Sequence, residues 1–252
     1  MIEQAYREGE ASGLAVWGED EAGPYQTKPY AGHSWSPEDH PNHYPHEYVR
    51  GGTAKIMTLF HPHSGQVCVK GTTSTTNAIL HPWLKDELKT ILAQLPEKDA
   101  LADPAANRAE WLPWQAGLQI KITLPQELPR LRLLLILDNL SGHKSADLVL
   151  WLFAHGIMPL YTPLGGSWLN MTESIQRILK KRALEGSYPR TEDHIMDWFE
   201  TVAHHWNTDP TPFIWGGKRQ RRRQRARQRR LHRLGGSGAY TRRPVRRKWQ
   251  AA

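Results

Sequence analysis

Three acidic positions occur where the sequence could build a metal site. Asp20, between Glu19 and Glu21, closes a short apolar run, Asp138 follows a longer one, and Glu173 begins a late amphipathic stretch. Carboxylates at the ends of two adjacent strands, with a third on a nearby helix, form a cage of hard oxygen ligands, which Mg²⁺ and Mn²⁺ prefer. Two such ions can activate an attacking oxygen and stabilise a leaving oxygen at a phosphodiester. Asp20, Asp138 and Glu173 are therefore candidate catalytic ligands.

Each of these residues also has a purely structural interpretation. An acidic triplet after a strand is usually a solvated turn, and Asp138 with Asn139 fits a turn, because both side chains can hydrogen-bond nearby backbone. Asn170 and Glu173 fit a variant of the capping box, in which Glu173 reaches back to the helix start. Position alone leaves both interpretations open.

Hydrophobic periodicity outlines the scaffold that must hold these residues. Short apolar or alternating runs predict strands at 14–17, 53–60, 66–71, 131–137 and 157–161. Helical spacing predicts helices at 77–95, 145–155, 170–183 and 191–206, with one short helix inside 96–129. Residues 22–52, rich in Gly, Pro, His and aromatics, predict irregular strands and turns. Alternating strands and helices in the second half predict parallel pairing by right-handed crossovers.

The net charge of +8 is unevenly distributed. The segment from Lys218 to Lys248 holds 15 Lys and Arg and no Asp or Glu, so the preceding residues carry 18 basic side chains against all 25 acidic ones. An acidic body that approaches a polyanion needs bound cations or a basic arm. The low-complexity run in this segment predicts a disordered, DNA-binding arm, whose candidate contacts are Arg219, Arg221, Arg222, Arg223, Arg225, Arg227, Arg229 and Arg230.

Composition also limits the other classes of site. A single cysteine, Cys68, excludes an intramolecular disulfide framework and a multi-cysteine zinc site. The charged N-terminal residues do not resemble a secretory signal, and the longest aliphatic run is too short to cross a bilayer. We therefore expect a soluble intracellular protein that is not associated with a membrane. His40, His43 and His46 could suggest zinc, but a Pro-rich loop does not hold ligands rigidly.

One long segment resembles a known family. LDNLSGHKSADLVLWLFAHGIMPLYTPLGGSWLNMTESIQRILKKRAL is similar to the catalytic signature of the mariner-like transposases of bacterial insertion sequences, within the DDE superfamily. The shared features are an Asp-Asn pair, a nearby His, a Pro-containing loop and an Asn-x-x-Glu, with 34 residues between Asp138 and Glu173. Upstream, VWGEDEAGPY resembles the first-aspartate motif of the family, and PHEYVRGGTAKIMTLFHPHSG and NAILHPWLKDEL resemble its hairpin and first core helix. The resemblance spans Leu14 to Trp206.

The resemblance implies a fold and a reaction. The fold would be RNase H-like α/β: a mixed sheet with three antiparallel strands first and parallel ones after, flanked by helices. Asp20, Asp138 and Glu173 would hold two Mg²⁺ or Mn²⁺ ions. The protein would hydrolyse a phosphodiester at a transposon end, and the freed 3′ hydroxyl would attack target DNA at the same site. This implies neither a covalent protein–DNA intermediate nor ATP.

The same resemblance implies partners and an organisation into domains. Cutting two transposon ends in concert implies a homodimer in a synaptic complex. Such transposases carry helix-turn-helix modules ahead of the core, and with the first aspartate at position 20 we expect such a module in a separate half encoded upstream. We divide the chain into a lead-in at 1–13, a catalytic domain at 14–207 and a basic tail at 208–252.

Auxiliary residues and rival functions complete the expectations. Glu21 is the nearest substitute for Asp20 as first ligand, and His143 could contact a scissile phosphate or cap a helix. Lys144 could meet the DNA backbone, and Asn139 and Asn170 belong to the motifs themselves. One rival function is an RNase H-like nuclease that cleaves without joining. The other is a catalytically silent DNA-binding relic.

Overall fold

The computed structural model describes residues 1–33, 36–41, 43–98 and 103–216. Residues Met1–Phe213 form one compact unit. Its strands are β1 (Ala15–Gln26), β2 (Thr53–His61), β3 (Gln66–Thr72), β4 (Leu133–Leu137) and β5 (Ile157–Tyr161). Its helices are α1 (Ile2–Glu8), α2 (Asn77–Gln94), α3 (Pro104–Ala116), α4 (Ala146–Ala154), α5 (Thr172–Leu184) and α6 (Glu192–Thr208). Each run predicted as a single strand or helix has a counterpart: β5 has the predicted ends, and the others differ at one or both ends. The described part of residues 27–52 contains no strand, although irregular strands were predicted there.

The strands form one mixed sheet in the order β3-β2-β1-β4-β5. The first three strands along the chain pair antiparallel, and β4 and β5 extend the sheet by parallel pairing. Each parallel connection contains helices, as a crossover requires. The RNase H-like fold class predicted from the sequence is confirmed by this order and these directions.

The position of β4 inside the sheet, between β1 and β5, explains why its sequence is apolar throughout. All five residues of Leu133–Leu137 are buried, because helices cover both faces of the sheet at this position. Leu134 and Ile136 pack into one core cluster with Trp111 of α3, while Leu133 and Leu135 pack into a second cluster with residues of α2. The buried strand therefore holds the backbone of Asp138, the first residue after β4, in a fixed position.

The first strand is longer than predicted. The acidic triplet was expected at the end of a strand, but β1 runs to Gln26, and Asp20 lies in its middle opposite Thr58 of β2. The parallel pairing of β1 with β4 ends at Gly18, opposite Ile136. From that point β1 has a neighbour on one side only, since its antiparallel ladder with β2 continues. The triplet thus lies beside the end of β4, where Asp138 follows.

The N-terminal residues, predicted only as a lead-in, are structured. They form α1 and a short 3-10 turn, Glu10–Ser12. Ile2 and Ala5 are buried in the core, and the hydroxyl of Tyr6 accepts a hydrogen bond of 3.0 Å from the backbone N–H of Met171, just before α5. This helix therefore braces the element that carries Glu173. Across the described ranges, no helix is long and apolar enough to cross a membrane.

Candidate functional site

The structure brings the three predicted carboxylates together from three elements. Asp20 lies on β1, Asp138 follows β4, and Glu173 lies in the first turn of α5. The charges of Asp138 and Glu173 both act on the carboxyl of Asp20 and help to raise its pKa. The prediction that these residues converge holds in the fold, and their roles in metal binding and catalysis stay predictions.

Two side-chain amides fix α5 against the strand that carries Asp20. The Nδ2 atom of Asn170 donates to the backbone oxygen of Glu19 at 2.7 Å, and Nε2 of Gln176 donates to that of Asp20 at 3.2 Å. Asn170 is buried, and its Oδ1 accepts from the N–H of Thr172 at 3.1 Å. Asn170 therefore positions the helix start, which accounts for its place in the motif.

Glycine allows α5 to approach β1 closely. A Cβ on Gly18 would lie 2.6 Å from Oγ1 of Thr172 and 2.8 Å from Oδ1 of Asn170, so a side chain would push the helix away. Because strand side chains alternate, Asp20 shares the face of Gly18, towards α5, while Glu19 and Glu21 point to the other face. The alternation separates Asp20 from both neighbouring glutamates.

The environment of Asp20 is unfavourable to its negative charge. Burial, followed by the charges of Glu19, Asp138 and Glu173, raises the pKa of Asp20 from 3.8 to about 8, although the N–H of Glu21 donates to its Oδ1 at 2.9 Å. For Glu21, burial and the charge of Glu19 raise the pKa to about 7. A divalent cation would offset the negative charge around Asp20 and Glu21.

The raised pKa of Asp20 predicts that Asp20→Asn stabilises the metal-free protein in a pH-dependent way. The carboxyl titrates near 3.8 when unfolded and near 8 when folded, so its contribution to stability is complete below about pH 4 and is lost as the pH rises through about 8. Asparagine does not titrate, so the free energy of unfolding of the variant should exceed that of the wild type by a margin that grows between about pH 5 and about pH 9. Urea unfolding with chelator, from about pH 5 to about pH 9, measures the difference. A difference in unfolding free energy that does not change with pH would contradict the raised pKa of Asp20.

Asp138 differs from Asp20 because a histidine supports it. Nδ1 of His143 lies 2.8 Å from Oδ1 of Asp138, and the N–H of Leu140 donates to the same oxygen at 2.9 Å. Burial would raise the pKa of Asp138, but these hydrogen bonds and the nearby charges of His143 and Lys144 outweigh burial and lower it. Asp138 is thus held in its anionic form, as a metal ligand must be.

His143 connects Asp138 to a second buried carboxylate. Its Nε2 lies 3.0 Å from Oε2 of Glu19, in ion-pair contact without hydrogen-bond alignment, and 4.0 Å from Oε1 of Glu21. Burial would lower the pKa of His143, but the charge of Glu19 and the close contacts of the ring with Glu19 and Asp138 raise it to about 10. The side chain of His143 is only 1% exposed, and its direct contact with a scissile phosphate, expected as one alternative, stays a prediction.

Glu19 was not predicted as a site residue from the sequence. Its side chain is fully buried, on the strand face that it shares with Trp17 of the core. Within the described residues, Glu19, Glu21 and His143 form a group that could hold a metal ion, because one ligand atom from each residue lies within 4.8 Å of the other two. The period of two from the apolar Trp17 to Glu19 was a signal that this carboxylate faces inward.

The remaining predicted residues have varied positions. The side-chain amide of Asn139 donates to the backbone oxygen of Thr162, which ties the loop after β4 to the loop after β5. Lys144 is exposed. His40, His43 and His46 are exposed, and among the residues that the structure describes they form no group able to hold a metal. The predicted DNA contacts lie outside the described residues: Arg219, Arg221, Arg222, Arg223, Arg225, Arg227, Arg229 and Arg230.

Comparison with known proteins bears on the second half of this site. Residues 105–195 match the family model of the DDE superfamily endonucleases. The match contains Asp138 and Glu173 and begins after Asp20, and it supports an endonuclease of the DDE type. The mariner-like and insertion-sequence assignments stay predictions.

Solved structures and curated proteins give two further results. The chain is similar to a chain in the cryo-EM structure of the simian T-cell lymphotropic virus intasome in complex with PP2A regulatory subunit B56 gamma, with 14% identity and a TM-score of 0.40. The similarity covers 77% of this chain and 47% of the chain in that structure, so this protein spans about half the length of that chain. No curated protein gives a significant match.

Proposed function

We propose that this protein is the catalytic part of a mariner-like DDE transposase, which cleaves DNA at transposon ends and joins the ends to target DNA. The observation that carries the proposal is the convergence of Asp20, Asp138 and Glu173 from β1, the end of β4 and the start of α5. The endonuclease family match over residues 105–195 supports the same class of reaction. Residues 14–207 would form the catalytic domain, and 208–252 a basic arm.

The residues of the site suit divalent cations. Asp20, Asp138 and Glu173 offer only carboxylate oxygens, which Mg²⁺ and Mn²⁺ prefer, and the pKa of about 8 for Asp20 reflects negative charge that a cation would neutralise. Two bound ions would supply activation of the attacking oxygen and stabilisation of the leaving oxygen. We propose these three residues as the ligands of such ions.

The chain itself would supply orientation and a dry environment. The buried β4 holds the backbone of Asp138, and the bonds from Asn170 and Gln176 fix the start of α5 relative to β1. Glu173 forms an i,i+4 ion pair of 3.1 Å with Arg177, which restrains its side chain. Positioning of this kind is a large part of catalysis in phosphoryl transfer.

The proposed partner is DNA, and the proposed assembly is a homodimer that holds two transposon ends. The arginines between 219 and 230 would neutralise phosphates without reading bases. Recognition of specific ends would belong to a helix-turn-helix module encoded upstream. The cellular location would be the bacterial cytoplasm, at the nucleoid.

A cleavage and strand-transfer assay tests the proposed function. The purified chain is incubated with supercoiled DNA and with DNA ending in a free 3′ hydroxyl, in Mg²⁺ or Mn²⁺, and again with excess chelator. We expect nicking and joining that chelation abolishes, because the carboxylates alone do not activate water. Cleavage without joining would favour the nuclease. DNA binding without metal-dependent chemistry, even when an upstream helix-turn-helix half is added, would favour the silent relic.

A further inference from the structure

We propose that Glu19 and His143 are positioning residues that hold the carboxylate of Asp138 in one orientation for its metal ion. The proposal rests on the proposed function, because it concerns the same site. Glu19 and His143 are both fully buried, so neither is placed to meet DNA directly. Their effect must pass through Asp138.

The first step is the hydrogen-bond pattern at Asp138. His143 and the N–H of Leu140 both contact Oδ1, at 2.8 and 2.9 Å. For Oδ2 there is no hydrogen bond in the described parts of the chain. The Asp138 side chain is 28% exposed, so Oδ2 can meet a cation that enters from solvent. Restraint of one carboxylate oxygen thus orients the other.

The second step is the anchoring of the His143 ring. The ring lies between Asp138 at Nδ1 and Glu19 at Nε2, so a rotation of the imidazole would break both contacts. The hydroxyl of Tyr161 on β5 donates to the backbone oxygen of His143 at 2.6 Å and holds the short 3-10 turn Gly142–Lys144. The ring is thereby fixed from the sheet and from the loop.

The third step explains the placement of Glu19 in the interior. A carboxylate with no exposed surface is costly unless a charged partner compensates. Both Glu19 oxygens are buried without an aligned hydrogen bond, and its close ionic partner is His143. In known metal sites, outer carboxylates that orient a ligand commonly contribute 10- to 100-fold in metal affinity or activity. Positioning of Asp138 through His143 would explain why the carboxylate of Glu19 is buried despite its cost.

The test compares Mn²⁺ affinity in variants of the full chain, measured by electron paramagnetic resonance of the free ion. We expect Glu19→Leu to weaken Mn²⁺ binding by about 10- to 100-fold. Glu19→Gln should recover much of that loss, because its amide has the size of the carboxylate and its oxygen can still contact Nε2 of His143. Both variants lack the negative charge, so loss of charge alone predicts equal weakening in both.

A matched control and a double variant separate positioning from stability. Glu10 makes a comparable contact with a histidine, 2.7 Å to Nε2 of His61, away from the carboxylates, and Glu10→Leu should leave Mn²⁺ affinity unchanged. In a His143→Leu background, Glu19→Leu should cause little further loss, since coupled residues are not additive. The double variant replaces a buried pair by apolar residues, a change that proteins often tolerate, and thermal melting monitors each fold.

Several outcomes would overturn the proposal. Equal weakening in Glu19→Leu and Glu19→Gln, or additive losses with His143→Leu, would leave only an electrostatic effect. Loss of one whole bound ion in Glu19→Leu, with binding intact in Asp138→Asn, would make Glu19 a ligand itself. If the wild type binds Mn²⁺ and cleaves DNA, and Glu19→Leu has the same Mn²⁺ affinity, the positioning role is contradicted while the proposed function stands. If the wild type does neither, the proposed function fails as well.

Discussion

Asp20→Asn is expected to abolish divalent-metal-dependent DNA cleavage, with a loss of at least about 1,000-fold in rate, or about 4 kcal/mol of activation free energy. Asp20 lies on the strand face towards α5, and the charge of Glu173 acts on it. An amide removes the negative charge of a proposed metal ligand while it keeps the shape of the side chain. Single-turnover cleavage of supercoiled DNA, in Mg²⁺ and in Mn²⁺, measures the loss.

Glu21→Gln is the matched comparison for this variant. Glu21 is the next residue on the same strand, and burial, followed by the charges of Glu19 and Asp138, raises its pKa to about 7. We expect Glu21→Gln to stay within about 10-fold of the wild type, as an outer residue would. The reverse result, with Glu21→Gln inactive and Asp20→Asn active, would make Glu21 the first ligand.

The part of the site that lies on β4 and α5 could be predicted from sequence. The apolar run before Asp138 indicates a strand buried on both faces, and a polar residue directly after such a strand lies at the edge of the sheet. Glu173 precedes a helix whose apolar spacing is clear. These signals are local, so periodicity and the motif at 34-residue spacing were enough.

The part that involves β1 could not be read correctly from local signals. The triplet Glu19-Asp20-Glu21 interrupts the apolar pattern and looks like a turn, yet β1 continues because β2 pairs antiparallel with all three residues. The pairing partner lies about forty residues away in sequence, and tertiary pairing overrides the weak strand propensity of acidic residues. The extra length places Asp20 within a strand.

The contact between Glu19 and His143 is the clearest example of missing non-local information. The two residues are far apart in the chain, and each looks like a surface residue beside a motif. Only the parallel pairing of β1 with β4 brings Glu19 beside the loop that carries His143. Such buried ionic contacts depend on strand register, which hydrophobic periodicity of one segment does not specify. The helix α1 was not predicted because few of its residues are buried, so its sequence has only a weak apolar pattern.

Asp138→Asn and Glu173→Gln are expected to lose cleavage and joining together, each by at least about 1,000-fold. Both reactions are proposed to use the same carboxylates, so supplying DNA with a free 3′ end should not rescue strand transfer. The measurement is strand transfer of a pre-cut end alongside hydrolysis of an uncut one.

Two other carboxylates provide matched controls for these variants. Glu185, directly after α5, pairs with Lys181 at 3.5 Å, as Glu173 pairs with Arg177, so Glu185→Gln removes another i,i+4 ion pair at the opposite end of the helix. Asp147 is exposed on α4 and pairs with Lys85, and Asp147→Asn should likewise retain activity. Joining that survives in Asp138→Asn while cleavage is lost would require a second site for strand transfer. Equal losses in Glu173→Gln and Glu185→Gln would instead show that the effect does not depend on a position beside Asp20 and Asp138.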